Sequence, residues 1–317
     1  MNCMVGKSRS TPRRRRFQYS LRTLLLLGLL ASIGMSWLAV KMRQAAAQRR
    51  AVEAIEAVGG LVCYDFELTG AERPAPAWLC ELLGQDFFAT VHKVILAESP
   101  VADIKLEPIK VFSQLRSLDL RMTQVTDAEL RHVEGLTLLS ELDLSYTTVS
   151  GAGFEHLRGL THLRTLHVTF SEVTDTGLEH VKGLVRLETL DLEHTEVTDA
   201  GLEHLKGLRE LRSLVLASTD VSDKGLVHLQ GLTQLRSLVL AGTGVSDDGL
   251  QHLEGLRELE SLHLGSTDVS GAGLVHLAPL TKLQKLDLGE THVTDAGLEH
   301  LPALPELRSL VLYGTRL

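Results

Sequence analysis

Apolar residues return along most of the chain with a fixed period of 24 residues. Each unit opens with three apolar positions, which in one unit are Leu115, Leu118 and Leu120. The same opening starts at Leu139, Leu163, Leu187, Leu211, Leu235, Leu259, Leu283 and Leu307. One period before Leu115, Val91 begins a degenerate copy over residues 91–114. A phrase that returns at fixed spacing is typical of a structural unit rather than of a catalytic motif, so the spacing predicts nine full repeats and a final strand over residues 91–317.

Two different periodicities lie within each repeat, which reads L-x-x-L-x-L-x-x-T-x-V-[ST]-D-x-G-L-x-H-L-x-G-L. Positions are numbered here from the first leucine of each unit. Apolar residues at positions 4 and 6 have the two-residue period of a strand, and those at 16, 19 and 22 have the period of a helix. Ser or Thr at position 12, followed by Asp at position 13, predicts a helix N-cap. In two repeats Gly151 and Gly271 replace that Asp.

This pattern resembles the leucine-rich repeat family, and the resemblance covers residues 91–317. It implies an α/β solenoid whose parallel strands line a concave face and whose short helices line the convex face. Many family members carry Asn or Cys at position 9, whereas this chain has a hydroxyl residue there: Ser99, Thr123, Thr147, Ser171, Thr195, Thr219, Thr243, Thr267, Thr291 and Thr315. Because a hydroxyl both donates and accepts hydrogen bonds, we expect the column to form a buried ladder that joins neighbouring turns.

An uncharged apolar run, residues 23–40, precedes the repeats. As a helix it would extend ~27 Å, close to the ~30 Å hydrocarbon core of a bilayer. Trp37 lies near its end, where an interfacial indole is favoured. The run predicts a transmembrane helix, with residues 1–22 as a basic cytoplasmic leader. A cleaved signal peptide is the alternative, because residues 45–48 offer small side chains to a peptidase. Lys41 and Arg43 before that site, and the length of the run, favour an uncleaved signal anchor.

Charge divides the chain sharply. Residues 1–50 hold 11 of the 32 Lys and Arg residues and no Asp or Glu, so residues 51–317 hold 21 basic and all 40 acidic residues, a net charge of −19. Seven basic residues precede the apolar run and four follow it. The larger cluster predicts a single-pass protein of the cell membrane with a cytoplasmic N-terminus and extracytoplasmic repeats. The acidic remainder argues against nucleic acid as a partner, because binding to nucleic acid depends on basic surface.

Residues 41–90 are predicted to form a juxtamembrane helix and an N-terminal cap over the first repeat. We expect the helix to end at Gly59–Gly60, a strand in LVCYDFEL and a short helix in PAPAWLCELLG. Cys63 and Cys80 either pair as a disulfide in an oxidising compartment or pack as apolar residues. The whole layout, with its basic leader, single span, AVEAIEAVGG and T-x-V-T-D-A-G-L repeats, resembles a group of bacterial membrane-anchored repeat proteins, and this resemblance implies no defined activity.

Motifs that carry chemistry are scarce. The sequence has no phosphate-binding loop, zinc-spaced cysteines or nucleophile elbow, and it predicts neither a cofactor nor a metal site. Histidine recurs at position 18, between two inward-facing leucines: His132, His156, His180, His204, His228, His252, His276 and His300. Stacked helices would hold these side chains in a line rather than converge them on one ion. We therefore interpret the column as a surface feature that the repeat encodes.

The strand face carries the candidate binding residues. Side chains at positions 3, 5 and 7 of a strand share one face. In the first half of the repeats this face, together with position 8, is acidic, aromatic and histidine-containing, whereas in the second half it becomes small, as at Ala217–Ser218 and Gly265–Ser266. The predicted partner-binding residues are Asp143, Tyr146, His167, Phe170, Asp191, Glu193 and His194.

The sequence therefore predicts a non-catalytic, membrane-anchored leucine-rich repeat protein whose concave surface binds a protein, a peptide or an envelope polymer. One alternative is an enzymatic or metal-dependent site on that face; carboxylates beside His are, however, ordinary cross-strand pairs. Another alternative is a soluble adaptor that resembles the ubiquitin-ligase repeat proteins. The apolar run argues against a soluble protein. The final strand leaves an open sheet edge, so self-association through it is a further hypothesis.

Overall fold

The computed structural model describes residues 21–98 and 105–316, so most of the basic leader and position-9 Ser99 lie outside the described residues. One helix, α1 (Leu21–Ala57), contains both the apolar run and the predicted juxtamembrane helix. Within the described ranges it is the one helix whose length and composition suit a membrane span. Its last turns enter the core of the repeats through the buried side chains of Ala51, Val52 and Ile55. The apolar run and the repeats are therefore joined by continuous helix.

The cap consists of β1 (Leu61–Tyr64), α2 (Asp65–Thr69), α3 (Ala77–Leu83) and a 3₁₀ turn at Gln85–Phe87. Strand β1 pairs antiparallel with the first strand of the repeats. The strand predicted over LVCYDFEL is right for its first four residues and wrong for the rest. The Glu67 carboxylate accepts the Tyr64 N–H at 2.9 Å, which satisfies a free donor at the start of α2 and favours a helix there.

The strands of the repeats follow one another at 24-residue intervals. They are β2 (Val91–Ile95), β3 (Ser117–Asp119), β4 (Glu141–Asp143), β5 (Thr165–His167), β6 (Thr189–Asp191), β7 (Ser213–Val215), β8 (Ser237–Val239), β9 (Ser261–His263), β10 (Lys285–Asp287) and β11 (Ser309–Val311). With β1 they form, in the described chain, one sheet of eleven strands in sequence order, and β2–β11 are parallel. Equivalent positions face each other without slip, as Leu118 faces Leu142. The predicted α/β repeat solenoid is confirmed.

Short helical segments return the chain from each strand to the next. The α-helical ones are α4 (Asp127–Leu130), α5 (Asp175–Val181), α6 (Asp199–Leu202), α7 (Asp223–Leu226), α8 (Asp247–Leu250) and α9 (Asp295–Leu298). The 3₁₀ ones are Glu107–Val111, Gly151–Leu157, Glu203–Leu205, Val227–Leu229, Gln251–Leu253 and Ala272–Leu277. Most are single turns, because position 22 must already point back into the core. The leucines of the strands and those of the helical segments are fully buried, as Leu190 on β6 and Leu202 on α6 show.

The hydroxyl column at position 9 is buried and hydrogen-bonded, but it does not join neighbouring turns. Thr219 Oγ1 donates to the Leu216 carbonyl at 2.7 Å, and Ser171 Oγ donates to the Val168 carbonyl at 2.5 Å. The acceptor therefore lies three residues earlier in the same repeat. The predicted ladder between repeats is wrong, because the chain turns at position 9 and brings the end of its own strand within reach of the hydroxyl.

The side-chain hydrogen bonds that recur between neighbouring repeats come from positions 12 and 13 instead. Asp199 Oδ1 accepts the Ser222 N–H at 2.7 Å, and Asp199 Oδ2 accepts the Ser222 hydroxyl at 2.6 Å. The same pair of bonds links Asp127 to Ser150, Asp175 to Thr198, Asp223 to Ser246 and Asp247 to Ser270. Position 15 is glycine beside these carboxylates, since a Cβ on Gly225 would lie 2.5 Å from Asp199 Oδ1. We call this series the Asp ladder.

Candidate functional site

The parallel register brings three predicted site residues into one row across β4, β5 and β6. Asp143 faces His167, and His167 faces Asp191. The His167 Nδ1 atom lies 3.6 Å from Asp191 Oδ2. At the other end of the row, Arg121 bonds Asp119 at 3.0 Å and lies 3.9 Å from Asp143. The row therefore alternates acidic and basic groups.

Each carboxylate in this row is held by the backbone that follows it. Asp143 Oδ1 accepts the Ser145 N–H at 2.9 Å, and Asp191 Oδ1 accepts the Glu193 N–H at 3.1 Å. Asp and Asn at strand ends commonly bond their own backbone two residues on. One carboxylate oxygen is thereby fixed, while the side chains of Asp143 and Asp191 remain partly exposed at 24% and 20%.

The charge state of the row follows from these contacts. Asp191 raises the pKa of His167 above its ordinary value; partial burial and Arg121 oppose this, and Asp143 adds to it. For Asp191, burial opposes ionisation, but His167, the Glu193 N–H and Thr169 outweigh it and lower the pKa. The face thus favours an imidazolium between two carboxylates.

An aromatic column runs beside the row at position 8. The rings of Tyr146 and Phe170 stack at 4.7 Å between centroids, and those of Phe170 and His194 at 4.0 Å. Tyr146 and Phe170 are 51% and 42% exposed, and Met122 extends the column at 55%. Because the ring faces are stacked on one another, the column presents mainly ring edges to solvent, and ring edges carry the positive part of the aromatic quadrupole.

Position 8 also has an unusual backbone. Tyr146, Phe170 and His194 have φ values of 57°, 52° and 50°, in the left-handed region. The same region occurs at this position in the other half, at Ser218 and at Gly242, so the turn belongs to the repeat. Sequence reasoning missed this strain, although glycine at position 8 of two repeats was a signal for it. It also missed Asp119, Arg121 and Met122 as members of the site.

A shallow depression of about 200 Å³ lies over the acidic end of the row. Its lining includes Asp119, Arg121, Asp143 and His167, together with Lys93. Of the predicted site residues it brings together two, Asp143 and His167. Asp191 and half-buried Glu193 lie at its far side on β6 and the turn after it, and the aromatic column lies alongside. An open polar surface of this shape fits a protruding side chain better than an enclosed small molecule.

The second half of the face carries its own His–Asp pair. His263 Nδ1 lies 3.7 Å from Asp287 Oδ2 across β9 and β10. Its neighbours are small, and no aromatic column accompanies it over the described strands β7–β9. The recurrence of the pair identifies it as a cross-strand contact that the repeat geometry produces, so the His167–Asp191 pair alone does not indicate catalysis.

Four histidines of the position-18 column contact the preceding repeat: His156, His180, His252 and His276. His180 Nδ1 accepts from Arg158 Nε at 3.0 Å, and His276 Nδ1 lies 2.7 Å from Glu254 Oε1. Across residues 21–98 and 105–316, no group of three or more His, Cys, Asp or Glu side chains converges with the geometry of a metal site. Cys63 and Cys80 are free thiols in the structure.

The chain belongs to the leucine-rich repeat family, because the family profile "Leucine-rich repeat region" matches residues 91–316. Similar solved structures include an internalin C2 from Listeria monocytogenes, with 26% identity over 70% of this chain and 80% of that chain and a TM-score of 0.47. An internalin from the same organism has 21% identity over 69% and 86%, with a TM-score of 0.37. A plant ice-binding protein has 16% identity over 66% and 67%, with a TM-score of 0.45. No curated protein sequence matches the chain significantly.

Proposed function

We propose that this protein is a non-catalytic, single-pass membrane protein whose extracytoplasmic repeats bind a protein or peptide partner on the strand face. The anchor is α1, with the span at residues 23–40. The binding surface comprises Asp143, Tyr146, His167, Phe170, Asp191, Glu193 and His194. Family membership supports the coarser statement, a repeat scaffold of the kind that binds other proteins.

One observation carries the choice of surface. The rings of Tyr146 and Phe170 stack in consecutive repeats, and these residues remain 51% and 42% exposed, although Phe and Tyr are mostly buried in folded proteins. Only 4% of the chain is aromatic. An exposed aromatic cluster of this kind is typical of an interface anchor.

The chemistry of the surface supports a basic partner. Carboxylates at Asp143, Asp191 and Glu193 flank an edge-on aromatic column, and Arg121 is committed to Asp119. The four carboxylates of Asp119, Asp143, Asp191 and Glu193 outnumber the two cations Arg121 and His167. A Lys or Arg side chain of a bound segment would meet this excess of negative charge, and its stem would lie along the rings. We expect an extended or loop segment, since the face is open along the strands.

Capture with the full chain tests the binding surface. The detergent-solubilised protein should retain a partner that the double variant Tyr146→Ala/Phe170→Ala fails to retain. Ser237→Arg, on β8 in the small-residue half, is the matched control and should retain it. Loss of the partner with Ser237→Arg, and retention by the double variant, would move the binding surface to the second half.

Protease accessibility tests the orientation. External protease added to intact cells, or to spheroplasts where a wall intervenes, should digest the repeats. Full protection of the repeats would contradict the extracytoplasmic orientation. A mature chain that starts near Gln48 would instead show that the apolar run is a cleaved signal peptide.

A further inference from the structure

A cleft of about 590 Å³ lies between α1 and the cap, away from the strand face. Its α1 wall includes Lys41, Gln44 and Gln48, and Phe87 and Phe88 lie in the wall from the cap. Lys41 is the first residue after the apolar run, and the helical rise places Gln48 ~10 Å farther along the axis. Headgroups add ~5–8 Å to each side of the hydrocarbon core. The cleft therefore begins at the depth that lipid headgroups occupy if the run spans a membrane.

Aromatic contacts fix the cap at this depth. The ring of Trp37, within the apolar run, lies 6.4 Å from that of Phe87 in an edge-to-face arrangement, and Phe87 lies 4.9 Å from Phe88 in the same manner. Trp37 is one helical turn before Lys41, so the two share a face of α1. Aromatic side chains are favoured at the boundary between hydrocarbon and headgroups. The floor of the cleft thus combines an interfacial aromatic cluster with a cation.

The single carboxylate in the cleft lining is occupied by the protein itself. Asp86 accepts from the Tyr64 hydroxyl at 2.9 Å and from Gln48 Nε2 at 3.1 Å, and it lies 3.6 Å from Arg49 Nε. Burial, together with Asp86, raises the pKa of Tyr64, so the phenol keeps its proton and donates. Lys41, in contrast, has no ion-pair partner in the described ranges. An anion in the cleft would meet the ammonium group of Lys41 rather than a free carboxylate.

We propose that this cleft binds the headgroup of an anionic phospholipid from the leaflet that faces the repeats. Lys41 pairs with the phosphodiester, and the polar side chains of Gln44, Ser113 and Gln114 bond the headgroup. Phe88 and the partly exposed Val111 contact the glycerol and first methylenes. The proposal rests on the membrane anchoring proposed above. A lipid in this cleft would bridge α1 and the cap, and so would hold the repeats in one orientation over the membrane.

Tryptophan fluorescence gives a direct test, because the chain has two tryptophans and Trp37 lies beside the cleft. Trp78→Phe leaves Trp37 as the one tryptophan; Trp78 is 64% exposed on α3, so its replacement leaves the core intact. The full chain is reconstituted in phosphatidylcholine vesicles with a minor fraction of acyl-brominated phosphatidylglycerol or acyl-brominated phosphatidylcholine. We expect stronger quenching of Trp37 by the brominated phosphatidylglycerol at equal mole fraction.

Two charge variants make the test specific. Lys41→Gln should abolish the preference for brominated phosphatidylglycerol. Arg43→Gln, an exposed cation two residues away that does not line the cleft, should retain it. Loss of the preference in both variants would show general attraction to basic residues and would overturn the site. If soluble glycerol phosphate relieves the quenching, the cleft binds a free phosphate, and the proposed lipid site is overturned.

The remaining outcomes separate this proposal from the proposed function. Equal quenching by both brominated lipids would leave the membrane anchor intact and overturn the lipid site. The absence of quenching by either lipid would overturn the anchor itself, and the lipid site with it.

Discussion

Replacement of Asp199 by Ala removes one complete link of the Asp ladder. The carboxylate accepts two hydrogen bonds from Ser222 in the next repeat, at 2.7 and 2.6 Å. One hydrogen bond to a charged group contributes ~1.5–3 kcal/mol. Because Ser222 is half-buried and water replaces part of what is lost, we take the two bonds together at ~1.5–3 kcal/mol. Asp199 is also the first residue of α6, where a negative charge contributes ~0.3–1 kcal/mol. We expect Asp199→Ala to lower the free energy of unfolding by ~2–4 kcal/mol.

Guanidinium unfolding of the detergent-solubilised chain, followed by circular dichroism, measures this loss. Each kcal/mol should also lower the melting temperature by ~2–4 °C for a domain of this size. Asp248→Ala is the matched control, because Asp248 is an exposed carboxylate in the first turn of α8 that does not bond the next repeat. If the two variants lose the same stability, the inter-repeat bonds contribute nothing beyond a helix-terminal charge, and the reasoning is refuted.

A second substitution tests the same contact from the other side. A Cβ on Gly225 would lie 2.5 Å from Asp199 Oδ1, so Gly225→Ala should destabilise by ~1–3 kcal/mol through overpacking, although alanine favours a helix by ~1 kcal/mol. In the Asp199→Ala background the contact with Oδ1 is removed, while Leu202 Cδ1 at 3.0 Å and the Cα of residue 199 at 3.1 Å remain close to the added Cβ. The same change should therefore destabilise less than it does in the wild type. Additive losses in a double-mutant cycle would show that the glycine is not there to admit the carboxylate.

Two further predictions concern the position-9 hydroxyl and the charged row. Thr219→Val should lower the free energy of unfolding by ~1–3 kcal/mol, because it leaves the Leu216 carbonyl unpaired. Thr219→Ser should lower it less, as Ser171 occupies the same position naturally. If denaturant unfolding shows no loss for Thr219→Val, the position-9 hydroxyls contribute by packing and not by hydrogen bonding. The raised pKa of His167 means that its contribution to stability is complete below the ordinary value of about 6.5 and is lost as the pH rises through the raised value. As the pH rises through that window, the unfolding midpoint of the wild type should therefore fall relative to that of His167→Gln. A difference between the two midpoints that stays constant with pH would contradict a protonated His167.

The repeat pattern predicts the strands, their register and the buried leucines, because both periodicities are written in the order of apolar residues. It predicts which side chains share a face for the same reason, and so places Asp143, His167 and Asp191 in one row. The pattern does not predict which residues the side-chain hydrogen bonds join. Position 9 and position 13 both offer side-chain oxygens, and only the path of the chain after each strand decides that Thr219 bonds its own repeat while Asp199 bonds the next.

The order of residues does not predict the structure of the cap or the backbone conformation of the position-8 turn. LVCYDFEL alternates well enough for a strand, but the reach of Glu67 back to the Tyr64 N–H begins a helix. The left-handed backbone at position 8 is imposed by the turn that every repeat shares. Tyr146, Phe170 and His194 do not reveal it, and in the sequence only Gly242 and Gly314 at the same position point to it. The cleft between α1 and the cap depends on contacts between segments about 40 residues apart, such as Gln48 with Asp86, which no local pattern encodes.

Hydrogen exchange of the full chain, free and bound to its captured partner, tests the proposed binding surface most directly. The account predicts that partner binding protects backbone amides in the turns after β4, β5 and β6, which carry Tyr146, Phe170 and His194. It also predicts unchanged exchange in β7, β8 and β9. Protection confined to β7–β9, or to the helical side of the repeats, would contradict the account.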